Sequence, residues 1–336
     1  MRYFYILIII FIFFFSYHIY ASSFSLISDI GSSAQSIAMG NIEGSSRSAN
    51  AIFSNPAGLY RIKSYSVSLF QTTIMNDIDY FNVSLCKSTK YGNFGLGYYS
   101  ASVDNIPFTA IDNATNEFYV KEQFSYNNLV AKLSYQHQLS RRLHIGLNYT
   151  KYKLSFHNIE ASGYGFDLGV LRIFKYFTFS TFIQNINKGS IAYKDLSDDS
   201  YSGSELIPLS ISSSLRFIVK DFILYPQIKY HHNTYLPSLG LQYNPGFMPF
   251  LRFNTGYRHL LDYANQKHTR VSLGFDLRLL TLEFHYAYER SDYILYDHIS
   301  YFSLSYDFKF KDPNIAGIAQ PSSLLFFIPA LYLLTL

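Results

Sequence analysis

The chain has 336 residues, of which 49% are hydrophobic and 15% are charged, and its formal net charge is +4. Water-soluble domains usually carry about 25% charged residues, so this surface is short of charge for a soluble protein. The basic residues form no run longer than Arg141-Arg142, which excludes a basic nucleic-acid-binding protein. The single cysteine, Cys86, excludes an intramolecular disulfide and a zinc site built from thiolates.

The N-terminus has the layout of a secretory signal peptide. Met1-Arg2 is followed by the apolar run Phe4–Phe15. Ile19-Tyr20-Ala21 then provides an acceptable cleavage site, which would make Ser22 the first mature residue. An uncleaved anchor is the less favoured alternative, because the apolar run is shorter than the roughly 20 residues that span a bilayer as a helix. The sequence therefore predicts export, with residues 1–21 removed.

Between the signal peptide and the first strand lies a stretch rich in Gly, Ala and Ser. Its end, ANAIFSNPAGL, contains Asn55-Pro56-Ala57-Gly58. Asn is a good helix N-cap and proline is preferred at the first helical position, so a helix is expected to begin here. Gly58 predicts that this helix is short. We assign residues 22–62 to an N-terminal segment that precedes a β domain.

Over residues 63–310, apolar and polar residues alternate with a period of two. Tyr301–Phe310, for example, alternates apolar and polar residues along its whole length. Such alternation is typical of β-strands with one apolar and one polar face. The pattern recurs in about fourteen segments, which lie near residues 64–72, 77–85, 91–100, 127–137, 143–152, 162–173, 176–185, 208–218, 221–231, 235–243, 248–257, 268–279, 280–290 and 299–310.

A soluble β-sandwich also shows alternation, so strand length and face composition decide between the two folds. The segments run to about 9–12 residues, longer than the usual 5–6 of a soluble strand and close to the 9–11 that cross a membrane. The sequence therefore predicts an all-β fold, a transmembrane antiparallel barrel of about fourteen strands surrounded by the lipids of the bacterial outer membrane. Charged and polar side chains opposite the aromatic faces would line its lumen: Lys132, Asp167, Arg216, Lys229, Arg252, Asp276, Arg278, Glu283, His285, Asp307 and Lys309.

Connection lengths give a second indication of a barrel. Every second connection is short, as at 138–142 and 174–175, whereas the intervening ones include long loops at 101–126 and 186–207. Short periplasmic turns that alternate with longer outer loops are typical of outer-membrane barrels. After the last strand, residues 311–336 form a hydrophobic tail that is too short to span a membrane as a helix, and we assign it no role.

Few residue groups in the sequence could carry chemistry. His231 and His232 are neighbours on a predicted strand, so their side chains are expected to point to opposite faces and not to share a metal. Glu283, His285 and Asp307 could share the lumen face, but neither an activated nucleophile nor an oxyanion site accompanies them. The sequence therefore predicts no enzymatic activity, no metal site and no cofactor.

The stretch from Gly31 to Leu59 resembles the N-terminal signature of FadL-like outer-membrane proteins, particularly the PorV/PorQ branch. The matching residues are Met39, Gly40, Asn55, Pro56, Ala57 and Gly58. The resemblance implies a fourteen-stranded barrel in which the N-terminal segment folds inside the lumen as a hatch. Small residues suit such a segment, because it must cross a lumen that is filled with side chains and make sharp turns.

Two functions follow from the resemblance. The FadL-like family implies the passage or binding of hydrophobic small molecules across the outer membrane. The PorV-like branch implies instead a scaffold or shuttle in protein secretion, with a secretion-system protein as partner. The longest predicted outer loop, 101–126, has roughly 26 residues, which leaves little material for an extracellular surface that captures long-chain lipids.

Overall fold

The computed structural model of the chain describes residues 30–74, 77–112, 115–196, 202–261, 266–291 and 299–308. The predicted signal peptide, Lys309 and the tail at 311–336 lie outside these described residues.

Residues 31–62 of the N-terminal segment contain three short helices: the α-helix α1 (Ala34–Ala38) and the 3₁₀ helices η1 (Ala49–Ile52) and η2 (Pro56–Arg61). The side chain of Asn55 caps η2, because its oxygen accepts a hydrogen bond from the backbone N–H of Ala57 at 2.9 Å. The short helix predicted at Asn55-Pro56 is therefore confirmed. In the part of the chain that the structure describes, no helix has the length and apolar character needed to cross a membrane.

In the residues that the structure describes, sixteen β-strands follow the helices. They are β1 (Tyr65–Ile74), β2 (Ile78–Thr89), β3 (Gly92–Ile111), β4 (Phe118–Ser140), β5 (Leu143–Phe156), β6 (Ile159–Ile173), β7 (Phe177–Gln184), β8 (Ser190–Asp195), β9 (Ser202–Leu206), β10 (Ser210–Val219), β11 (Phe222–His231), β12 (Thr234–Tyr243), β13 (Leu251–Leu261), β14 (Lys267–Leu279), β15 (Leu282–Ser291) and β16 (Ile299–Phe308).

These strands form a closed antiparallel barrel of 14 strands, which confirms the predicted all-β fold and strand number. Within the barrel, strands that follow one another in the chain pair with one another, and β7 pairs with β10; β1 pairs with β16 in a register that sets Leu69 opposite Leu304. The remaining two strands, β8 and β9, form a hairpin that pairs with the part of β6 beyond the end of β7. Closure leaves the barrel wall without the unpaired strand edges that lipid could not hydrate.

The two faces of the barrel wall have opposite character. Large apolar side chains point outward and are exposed, as for Leu96 and Leu273, each at 58%. Polar and charged side chains point inward and are buried, as for Asn148 and Asp276. A soluble protein has the reverse arrangement, whereas a barrel in lipid needs an apolar outer band.

The predicted alternation of loop lengths is only partly correct. Residues 101–126 are not a loop, because β3 and β4 continue through most of this range as one long hairpin. The hairpin of β8 and β9 occupies much of 186–207. The connection between β5 and β6 is a tight turn in which His157 has a φ of 47°. The β3–β4 extension was missed because both of its faces are largely exposed, so its strands carry no apolar and polar alternation.

Candidate functional site in the barrel lumen

Residues 30–62 lie inside the barrel. The backbone N–H of Ala34 donates to Ser303 Oγ on β16 at 3.0 Å, and Asn55 Nδ2 donates to Ser180 Oγ on β7 at 2.8 Å. In the order of the strands around the barrel, β7 is halfway round from β16. One short segment can reach opposite sides of a closed barrel only from within the lumen.

Asn55 attaches the N-terminal segment to the wall. Its Nδ2 donates to Ser180 Oγ at 2.8 Å and to the backbone oxygen of Thr181 at 3.0 Å, while its Oδ1 accepts the capping bond from Ala57. The side chain is fully buried and out of reach of water, so these protein groups supply the hydrogen bonds that its polar atoms need. One amide therefore both begins η2 and binds it to β7.

Glycines in the wall make room for η2. Gly146 on β5 lies against the backbone of Pro56 and Ala57, and Gly169 on β6 lies against Asn55. A Cβ at either glycine would overlap these atoms. The approach of the segment therefore requires the absence of a side chain at both positions.

A second group of glycines receives the residues Met39 and Gly40. A Cβ at Gly240 on β12 would lie 2.7 Å from the backbone oxygen of Met39, and a Cβ at Gly256 on β13 would overlap the backbone of Gly40. Gly40 itself has a φ of 71°, a conformation that side chains other than glycine rarely adopt. The two parts of the sequence motif, Met39-Gly40 and Asn55-Pro56-Ala57-Gly58, thus both lie against glycines of the wall. The sequence analysis did not identify these wall glycines.

The predicted lumen residues Lys132 and Asp167 form a buried ion pair, with Nζ 2.8 Å from Oδ2. The carboxylate of Asp167 also accepts from Asn148 Nδ2 at 3.2 Å and from the backbone N–H of Asn185 at 3.0 Å. Asn148 Nδ2 donates in turn to the backbone oxygen of Ile52 in η1 at 2.9 Å. This network therefore links three wall strands to the N-terminal segment.

Five other predicted lumen residues come together on β13, β14 and β15. Arg252 Nη2 lies 2.6 Å from Glu283 Oε2, and Arg252 Nε lies 3.4 Å from Asp276 Oδ2. Arg278 Nε lies 3.3 Å from Glu283 Oε1. Gln35 of α1 donates to Asp276 at 3.0 Å, so this network also holds the segment.

His285, the fifth of these predicted lumen residues, is hydrogen-bonded to an aspartate and to a serine, as is the histidine of a serine hydrolase triad. Its Nδ1 lies 2.7 Å from Asp276 Oδ1 and its Nε2 lies 2.8 Å from Ser305 Oγ. Ser305, however, is buried in the middle of β16, and its neighbours on both sides are paired strands. Its backbone N–H is therefore committed to the sheet and does not supply an oxyanion donor. His285 contacts Asp276 and Ser305, whereas Glu283 pairs with Arg252.

A third network was missed by sequence reasoning. Glu289 lies between two arginines, with its Oε1 2.7 Å from Arg258 Nη2 and its Oε2 2.9 Å from Arg270 Nη1. Strand alternation could have found all three residues, because Glu289 shares the face of His285, Arg258 that of Arg252, and Arg270 that of Asp276.

The other predicted residues have separate positions. Arg216 Nε donates to the hydroxyl of Tyr225 at 3.1 Å, and Asp307 is half-buried on β16.

The expectation that His231 and His232 point to opposite faces is wrong, because their ring centroids are 4.1 Å apart. The reason is that β11 ends at His231 and His232 lies in a left-handed turn with a φ of 46°. Within the described ranges, no group of three or more His, Cys, Asp or Glu side chains could hold a metal ion.

A cleft that is open to solvent lies between the N-terminal segment and the wall, and the centre of a water-sized sphere can move through about 60 Å³ of it. Its aromatic side is formed by Phe53, Tyr80 and Tyr99, with the rings of Phe53 and Tyr99 in edge contact at 5.8 Å. Gln184, Gln227, Lys229, Arg258 and His259 also line it, together with Ile42, Leu236 and Leu260. The cleft thus combines one aromatic side with a lining that is otherwise largely polar, and aromatic side chains with placed polar groups occur at sites for small molecules.

Several solved barrels have a similar fold. The toluene transporter TodX of Pseudomonas putida aligns with a TM-score of 0.58 and 13% identity, over 84% of this chain and 99% of that chain. The CymD monoaromatic hydrocarbon channel aligns with a TM-score of 0.58 and 14% identity, over 83% of this chain and 98% of that chain. A FadL homologue of Pseudomonas aeruginosa aligns with a TM-score of 0.53 and 13% identity, over 83% of this chain and 98% of that chain.

No family model and no curated protein sequence matches the chain. At the identities of the solved barrels, the likeness concerns the fold. The chain therefore has the closed 14-strand barrel fold of the FadL-type channels.

Proposed function

We propose that this chain is an outer-membrane barrel that binds hydrophobic small molecules in its lumen and lets them pass. The cleft beside the N-terminal segment carries this proposal. Its aromatic side chains Phe53, Tyr80 and Tyr99 offer a small apolar molecule a surface, next to the cluster of buried apolar side chains inside the barrel to which Tyr80 and Tyr99 belong. Burial of apolar surface at such a place favours binding by about 25 cal/mol per Å².

The likeness to named channels supports the same function. TodX is described as a toluene transporter and CymD as a monoaromatic hydrocarbon channel, and both have the fold of this chain. Fold alone does not determine function, so the support lies in the combination of this fold with an aromatic cleft. Export through a cleaved signal peptide and residence in the outer membrane belong to the same proposal.

The N-terminal segment, residues 22–62, is proposed to act as a hatch. Its described part is attached to the wall through Asn55, Gln35 and the carbonyl of Ile52, so passage of a molecule past it requires some of these bonds to break. The ion pairs of the lumen residues, such as Lys132 with Asp167, are proposed to hold wall and hatch together.

The narrower resemblance to the PorV/PorQ branch stays a prediction. A role as scaffold or shuttle in protein secretion would need a surface for a protein partner. No observation on the described residues favours that alternative over the binding of small molecules.

The proposal can be tested by uptake of radiolabelled toluene in a bacterium that lacks its own hydrocarbon channel and expresses this chain. We expect faster uptake than in cells with an empty vector. Ser238→Trp, on the lumen face beside the cleft, should abolish the gain, whereas Leu239→Trp on the outer face of the same strand should preserve it. Uptake at the empty-vector rate from a correctly folded barrel would contradict the proposal.

A further inference from the structure

Three arginines of the lumen have no carboxylate partner among the described residues. They are Arg47 and Arg61 of the N-terminal segment and Arg216 of β10. The other lumen arginines differ, since Arg252 pairs with Glu283 and Arg258 with Glu289. All three side chains are half-buried, and a guanidinium group that is partly withdrawn from water without a counter-charge costs free energy, which a bound anion would offset.

Hydrogen bonds bring together the parts of the chain that carry the three arginines. Arg61 Nη1 donates to the backbone oxygens of Gly44 at 3.1 Å and Ser46 at 2.5 Å, which places Arg61 beside the loop that carries Arg47. Ser214 Oγ, on the same face of β10 as Arg216, donates to the backbone oxygen of Glu43 in that loop at 2.8 Å. The loop therefore brings the N-terminal segment, which carries Arg47 and Arg61, against the wall strand that carries Arg216. We call this boundary with its three arginines the seam.

The charge of the seam acts on Arg47. Burial lowers the pKa of Arg47, and the positive charges of Arg61, Arg216 and Arg252 lower it further, against the opposite effect of Tyr225. Like charges that lower each other's pKa repel, and a bound anion would relieve this repulsion.

The seam is separate from the cleft. Arg216 and Arg252 lie near the end of the barrel at which β10 ends and β13 begins. The cleft residues Leu236 and Leu260 lie near the other end, at the start of β12 and the end of β13. A ligand in the seam would therefore not occupy the space proposed for hydrophobic molecules.

We propose that the seam binds a phosphate-type oxyanion, which bridges Arg47 and Arg61 of the segment to Arg216 of the wall. Guanidinium groups present paired N–H donors that match the oxygens of phosphate, and a dianion compensates several positive charges at once. Tyr225 adds a donor, because its oxygen accepts from Arg216 Nε and its own hydrogen is left for the anion. The bound anion would fasten the segment to the wall.

Calorimetric titration of inorganic phosphate into the full mature chain in detergent tests this site. We expect saturable binding that Arg47→Gln and Arg216→Gln each weaken by about tenfold or more, because each removes a charge-assisted hydrogen bond. Arg172→Gln is the matched control, since Arg172 is exposed at the end of β6, 4.9 Å above the ring of Phe174. This variant should bind phosphate as the parent does.

Further titrations separate the sources of the anion. Glycerol 3-phosphate that binds as tightly as phosphate would point to a phosphate monoester, and binding of inorganic phosphate alone would point to the free ion. Chloride or acetate that competes as well as phosphate would overturn the proposal, as would unchanged affinity in both glutamine variants. If either variant fails to fold, Arg47→Lys provides the test, because it keeps the charge but loses the planar fork and should bind with intermediate affinity.

Discussion

A single methyl group added to the wall at Gly146 is expected to dislodge the N-terminal segment. A Cβ there would overlap the backbone of Pro56 and Ala57, which cannot turn aside as the end of a side chain could. Overpacking costs about 1–3 kcal/mol, and a backbone obstacle places Gly146→Ala in the upper part of this range. Gly146 lies in a strand of the wall that stays folded when the segment leaves, so the cost falls on docking. A shift of about 2 kcal/mol changes the ratio of docked to undocked segment about thirtyfold.

A spin label at Ser54, introduced as Ser54→Cys, reports this change. Ser54 lines the cleft next to the anchor residue Asn55, so a label there has room, and Cys86→Ala in the same chain removes the native thiol. We expect an immobile label in the parent and a mobile one in Gly146→Ala. Planar-bilayer recordings should show a matching change from low conductance to frequent openings.

Gly246→Ala is the control, because no atom lies within 4 Å of the Cβ that it would add. This variant should leave the label immobile and the conductance low. If Gly146→Ala behaves like Gly246→Ala in both measurements, close contact with the wall is not what holds the segment.

Glu289→Gln should lower the free energy of unfolding in urea by about 3–5 kcal/mol, because it removes the charge of the buried carboxylate that lies between Arg258 and Arg270. Glu160→Gln, which affects an exposed pair with Lys153 at 3.8 Å, should cost less than about 1 kcal/mol, and equal losses would contradict the role assigned to burial. Leu273→Arg should cost about 2–4 kcal/mol of folding free energy in lipid vesicles, because it places a charge on the outer face, whereas Leu280→Arg in an exposed turn should fold like the parent. Deletion of residues 31–60 should give a large, steady conductance in planar bilayers, and an unchanged conductance in a folded barrel would count against a hatch.

The pattern of the sequence predicted the wall of the barrel well, because each strand records its own two faces. Ser303 and Leu304 show what strand alternation can predict and what it cannot. Alternation placed Ser303 toward the lumen and Leu304 toward lipid, but it gave no sign that the backbone N–H of Ala34 donates to Ser303. Ser303→Arg, which the face assignment alone would allow, is therefore expected to push α1 away from the wall.

The partners within the lumen could not be predicted, because they depend on the register between strands. Arg252 reaches Glu283 across β14, and Asp276 reaches His285 only because these residues stand opposite each other on β14 and β15. A shift of β15 by two residues would keep every face correct and separate both pairs. Alternation therefore predicts which residues enter the lumen and leaves their pairing undetermined.

The attachment of the N-terminal segment to distant strands has a consequence for the order of folding. Its contacts with Ser303 of β16 and Ser180 of β7 can form together only when the sheet has curled and β16 has met β1. Contacts between residues this far apart in the chain are slow to form, because the loop between them must first be closed. A segment that precedes every strand in sequence is thus expected to reach its final position after the last of them, and refolding experiments should show its burial lagging behind barrel closure.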